Sequence, residues 1–177
     1  MLDAKTKNII DMAISFTGMT RVFKPKSSEK IRQKLMETLG LLDKEDYEKL
    51  HSEFCDWLIN NITTASGSPP SYGQAAKIFD IAMKVIVSYC HLPEFSVASR
   101  IKPHLHCAVD TKIMLELKRD YHFGKGLFTL SQVKKRHYDE FQNCLNSEAK
   151  KANRSAVDYD DILWRKLNRE RNQEELP

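Results

Sequence analysis

GQAAKIFDIAMKVIVSYC, residues 73–90, decides the fold. It opens on a glycine, contains no proline and runs well past the length of a strand. Ile78, Phe79, Ile81, Ala82, Met83, Val85, Ile86, Val87 and Tyr89 cover most of a helical wheel. The polar residues Lys77, Asp80, Lys84 and Ser88 follow at spacings of 3, 4 and 4, so they share one narrow stripe. A helix this apolar is surrounded by protein on most sides. Its stripe faces one of two environments. In bulk water, Asp80 and Lys84 form an i,i+4 pair worth about 0.3–0.5 kcal/mol. In a cleft, one lysine is partly desolvated; burial lowers a lysine pKa, and the neutral amine is the nucleophile.

The flanking segments read as helix too. Residues 2–17 place Ile9, Ile10, Met12, Ala13 and Ile14 at helical spacing. Ser27 and Ser28 cap a second helix running to about Leu39, stopped by Gly40. Asp43 is the expected N-cap of a third, with Tyr47, Leu50, Phe54, Trp57, Leu58 and Ile62 on one face. TTASGSPPSYG, residues 63–73, is the clearest break in the chain. HLPEFSVASRIKPHLH, residues 91–106, reads as a connector with two prolines. A helix restarts at 109–119, FGKGLF is a turn, and helices follow over 131–150 and 157–172, the last anchored by Ile162, Leu163, Trp164 and Leu167. No strand-like alternation and no repeat is present. The expectation is an all-α fold, a compact bundle of about six or seven helices in a single domain. Residues 1–62 supply N-terminal helices, 63–73 a hairpin or loop, 74–120 the candidate catalytic core and 121–172 the C-terminal helices.

Of the 177 residues, 41% are hydrophobic and 29% charged, an ordinary globular balance. No apolar run approaches a membrane span. MLDAKTKNIIDMAISF is amphipathic and lacks the parts of a signal peptide, so a cytoplasmic protein is expected; Cys55, Cys90, Cys107 and Cys144 are widely spread with no C-x-x-C pair and read as reduced thiols, and a monomer is expected. The net charge is +4, and basic residues cluster at Arg21–Lys34, at Lys134–Lys135–Arg136 and at Arg165, Lys166, Arg169 and Arg171. Each cluster reads either as a solvated helix face or as part of a nucleic-acid footprint. Cys90, His91, His104, His106 and Cys107 have zinc-type side chains, but their spacing is wrong for one tetrahedral ion, and neither metal nor cofactor is expected.

A second stretch carries chemistry. HLHCAVDTKIM, residues 104–114, places Asp110 at a helix start. Asp110 reads either as a plain N-cap or as a carboxylate held ionised by the helix dipole, able to stabilise a cationic transition state. His106 reads as a polar group at the helix entry, bonded to Asp110 or facing a pocket.

GQAAK followed by CAVDT resembles the helix-hairpin-helix superfamily of DNA glycosylases over residues 70–114, and the 33-residue separation of Lys77 from Asp110 is closest to the archaeal 8-oxoguanine glycosylase branch. SPPSYGQ stands where the family has its L-P-G-[VI]-G hairpin, and no iron–sulfur cysteine cluster is present. The resemblance implies a DNA glycosylase, with or without a lyase step. It would excise a damaged base in repair, or a modified base of foreign DNA in phage defence. Double-stranded DNA with a flipped base is the implied partner. Lys77 would attack the sugar and Asp110 would assist, with Lys84 as a rival nucleophile on the same stripe. Gly73, Gln74 and His106 would contact substrate, the amides opening the 74–90 helix would suit a phosphate oxygen, and Trp57, Tyr72 or Phe79 would stack on the base. The competing class is a non-catalytic helical domain that binds DNA or protein and needs no special lysine.

Overall fold

A computed structural model describes residues 3–18, 22–24, 27–122 and 126–174, with side chains as far as 168. Arg21 and Lys26 of the first basic cluster, residues 123–125 of the turn, and the side chains of Arg169 and Arg171 lie outside the described residues. Among those described, eight α-helices account for the fold, as expected of an all-α chain: α1 (Ala4–Phe16), α2 (Ser27–Leu39), α3 (Tyr47–Asn61), α4 (Tyr72–Met83), α5 (Phe95–Ile101), α6 (Thr111–Tyr121), α7 (Lys135–Lys151) and α8 (Ala156–Glu174). The only strand-type pairing among them is an isolated bridge between Phe23 and Thr64.

The 73–90 segment is the centre of the bundle. Its α4 portion packs against α1, α3, α7 and the short 3-10 turn Leu130–Gln132. Ala75, Ala76, Phe79, Ala82, Met83 and Ile86 are wholly buried. The alanines let neighbouring helices approach, and Phe79 fills the space between them, ring against ring with Phe54 at 4.8 Å. Ser71 caps the helix in a reciprocal box: its Oγ accepts from Gln74 N at 3.1 Å, and Gln74 Oε1 accepts from Ser71 N at 2.9 Å.

Three expectations need correction. The 74–90 helix is not α throughout, because Lys84–Tyr89 forms a π turn, closed by Cys90 N donating to Val85 O at 3.0 Å. The third helix begins at Tyr47, and Asp46, not Asp43, caps it, accepting from Lys49 N at 3.1 Å. Leu42 is wholly buried, so the chain turns there before the helix can start. The 91–106 connector contains α5, since Val97, Ala98 and Ile101 form one buried face and the two prolines flank the helix instead of interrupting it.

Candidate functional site

The stripe on the central helix does not face water. Asp80 is 1% exposed and Ser88 9% exposed, while Lys77 and Lys84 are half-buried. Nor do Asp80 and Lys84 pair with each other as the water-facing reading expects. Each is the hub of its own polar cluster.

Asp80 gathers groups from three other parts of the chain. His51 of α3 places Nε2 3.1 Å from Asp80 Oδ1, and the Tyr138 hydroxyl of α7 donates to Asp80 Oδ2 at 2.8 Å. Tyr138 Oη also lies 3.0 Å from His51 Nε2 and 2.9 Å from His106 Nδ1. His106 turns its other nitrogen, Nε2, to Glu48 Oε1 at 2.7 Å, and the Cys55 sulfur lies 3.9 Å from His51 Nδ1. His106 is therefore bonded to Glu48 and Tyr138, in place of the expected Asp110. Burial works against a charge on His106, but the Glu48 hydrogen bond and the Asp80 carboxylate outweigh it and raise its pKa above the ordinary value. The same hydrogen bond lowers Glu48. Burial, with Asp80 adding to it, pushes the Tyr138 phenol well up, and burial pushes the Cys55 thiol well up. Neither is an anion near neutral pH.

Lys84 gathers carboxylates from α8. Its Nζ lies 2.5 Å from Asp160 Oδ2 and 2.7 Å from Asp161 Oδ1. Asp160 also accepts from the Cys107 thiol at 3.3 Å, and Asp161 accepts from the Tyr89 hydroxyl at 2.6 Å. Burial would lower the Lys84 pKa, but the two carboxylates more than reverse that and hold the amine protonated. An ammonium has no lone pair, so Lys84 in this setting is a structural cation.

Lys77 is different. Among the described residues it takes part in no ion pair or side-chain hydrogen bond. Asp110 caps α6, its Oδ1 accepting from Ile113 N at 2.9 Å. Neither residue lines either of the two cavities described below.

The remaining expected site residues are drawn into packing. A Cβ on Gly73 would stand 2.5 Å from Val133 Cβ and 3.1 Å from Leu130 O, so this glycine lets the 130–133 segment lie directly on the helix start. Gln74 N donates to Ser71 Oγ and Ala75 N to Ser71 O, both at 3.1 Å, so two of the amides expected to hold a phosphate are already used. Tyr72 is buried, its ring 5.5 Å from that of Tyr138, and Phe79 is core. Trp57 lies in a shallow groove against Lys30, Gln33, Lys34 and Glu37 of α2. A larger cavity of about 400 Å³ opens at the start of α4, lined by Thr64, Ser66, Ser68, Pro69, Ser71 and Gln74 among others.

Much of the basic charge is neutralised within the chain. Arg32 pairs with Asp11 and Glu29, Lys135 with Asp139 at 3.0 Å and Lys166 with Glu116 at 3.3 Å. No helix among the described residues is long and apolar enough to cross a membrane.

Of the five Cys and His residues of 90–107, only His106 enters a group that can ligate a metal, and it does so with His51 and Asp80. Glu48, His51 and Tyr138 were not singled out from the sequence. His51 carried a readable signal: it sits four residues after Tyr47 and three before Phe54, on the buried face of α3. Comparison with known proteins adds no relative, since no family model, no curated protein and no solved structure matches the chain.

Proposed function

We propose that the protein acts on double-stranded DNA as a base-excising glycosylase, with Lys77 as the amine nucleophile and Asp110 as the assisting carboxylate. The observation that carries this reading is the contrast along one helix. Lys84 is held as a cation by two carboxylates, while Lys77 is half-buried and takes part in no ion pair among the described residues. Of the two amines on the stripe, Lys77 is the one free to act on an external electrophile. The likeness of GQAAK and CAVDT to the glycosylase motifs supplies the substrate class, and Asp110 fits the role of a carboxylate fixed at a helix start. The reaction would pass through a flipped nucleotide, attack by Lys77 on the sugar carbon bearing the base, and an imine that borohydride reduces.

Two observations favour the second reading, a non-catalytic domain that binds DNA or protein. Lys77 and Asp110 share neither described cavity, and the α4 amides are engaged internally. One experiment separates the readings. The protein is incubated with duplexes carrying oxidised, deaminated or phage-type modified bases in the presence of borohydride. A covalent adduct lost in Lys77→Gln and retained in Lys84→Gln establishes excision through Lys77. Duplex binding without an adduct or abasic sites establishes the binding domain.

A further inference from the structure

We propose that His51, Asp80, His106 and Tyr138 form a buried binding site for one divalent transition-metal ion of the zinc class, which fastens α3, α4 and α7 to the segment leading into α6. The inference is independent of the glycosylase reading and reverses the metal-free expectation drawn from the sequence.

Geometry is the first support. The ligating atoms of His51, Asp80 and His106 lie within 4.8 Å of one another. His51 Nε2 and Asp80 Oδ1 are 3.1 Å apart, and His106 Nδ1 is 4.0 Å from that oxygen. Tyr138 Oη is 3.0, 2.9 and 2.8 Å from His51 Nε2, His106 Nδ1 and Asp80 Oδ2. Four donors about 2.0–2.2 Å from a tetrahedral zinc ion stand about 3.3 Å from each other, so modest side-chain shifts would suffice.

Proton placement is the second. A neutral His106 that donates Nε2–H to Glu48 presents the Nδ1 lone pair inward. A carboxylate on the far nitrogen of a ligating histidine is the usual outer support of a metal site. A metal ion at this point would set a positive charge beside the Asp80 carboxylate, which lies 4.0 Å from His106 Nδ1.

Third, the neighbouring Tyr47 hydroxyl is buried with no hydrogen-bond partner among the described residues, its ring 5.6 Å from that of His106. A buried polar group left unmatched calls for an explanation, and an ion site beside it is one. With four protein donors and His106, its outermost member, only 11% exposed, the site suits a structural ion.

The test uses the full chain, stripped with EDTA, with folding checked by circular dichroism. Cobalt(II) is titrated and its visible absorption followed, then zinc is added in competition. The expected result is an intense tetrahedral-type band saturating at one ion per chain, displaced by zinc, with a zinc-dependent rise in Tm. Glu48→Gln changes an exposed residue and leaves the ligands in place, and is expected to weaken binding by roughly 10–100-fold. Tyr138→Phe is expected to shift or abolish the band. A folded chain that gives no saturable band overturns the proposal and leaves a closed hydrogen-bond network. Binding that both variants leave unchanged overturns it as well, by placing the ion on exposed histidines.

Discussion

Asp80 and Lys84 sit one helical turn apart on the same stripe, yet they are satisfied in opposite ways. Lys84 meets two carboxylates of one helix, which bracket its ammonium at 2.5 and 2.7 Å. Asp80 meets two imidazoles and a phenol drawn from α3, α7 and the segment before α6. The first is an ion pair complete in itself. The second is a set of convergent donors whose charge balance depends on where protons, or an ion, reside. Spacing along a helix therefore says that two polar residues share a face, while the neighbours that fold onto that face decide their chemistry.

Removing either hub probes this difference. Asp80→Ala leaves His51 and Tyr138 without their acceptor in the core, and a loss of about 4–5 kcal/mol is expected in urea unfolding. Lys84→Met strands Asp160, 4% exposed, without its cation and should cost about 3 kcal/mol, the lower value reflecting the solvent available to Asp161. The contrast sharpens in the double variants. Lys84→Met with Asp160→Leu should recover most of the stability, because an apolar pair can replace a buried ion pair. Asp80→Leu with His51→Leu should not, since Tyr138 and His106 still point into the space.

Smaller effects test how α4 is positioned between the clusters. Gly73→Ala pushes a methyl against Val133 and the Leu130 carbonyl and should cost about 1–3 kcal/mol by the same measurement. The smallest belongs to Asp158 at the start of α8. Burial raises its carboxyl, but hydrogen bonds from Lys102, 2.9 Å away, and Ser155 outweigh this and hold its pKa below the ordinary 3.8. That contribution is present above about pH 4 and is lost as pH falls through the lowered folded value. Asp158→Asn should cost less than about 1 kcal/mol near neutral pH and flatten the acid limb of the stability profile by that amount.

Helix content was readable because the apolar periodicity of 73–90, 47–62 and 2–17 repeats at helical spacing, and α2 ends at Leu39 as expected, although Ser27 and Ser28 lie within its first turn and not at the cap position. The clusters were not readable, because each joins residues far apart in the chain: His51, Asp80, His106 and Tyr138 span four segments. The Lys84 pairing depends on α8, some 76 positions later, which no local pattern announces. The wheel also placed Ser88 on the stripe, where the structure exposes Tyr89 instead, 52% against 9%. The π turn is the reason, since one extra residue per turn rotates everything after Lys84.

That wide turn makes chain length, apart from side-chain chemistry, a determinant of how α8 is held. Deleting any one residue between Val85 and Ser88 would restore an ordinary helix and roll Tyr89 by about 100°. Its hydroxyl would swing off Asp161, and the direction in which the chain leaves the helix at Cys90 would change. A single-codon deletion there would disturb a docking site on another helix while leaving each surviving residue chemically intact.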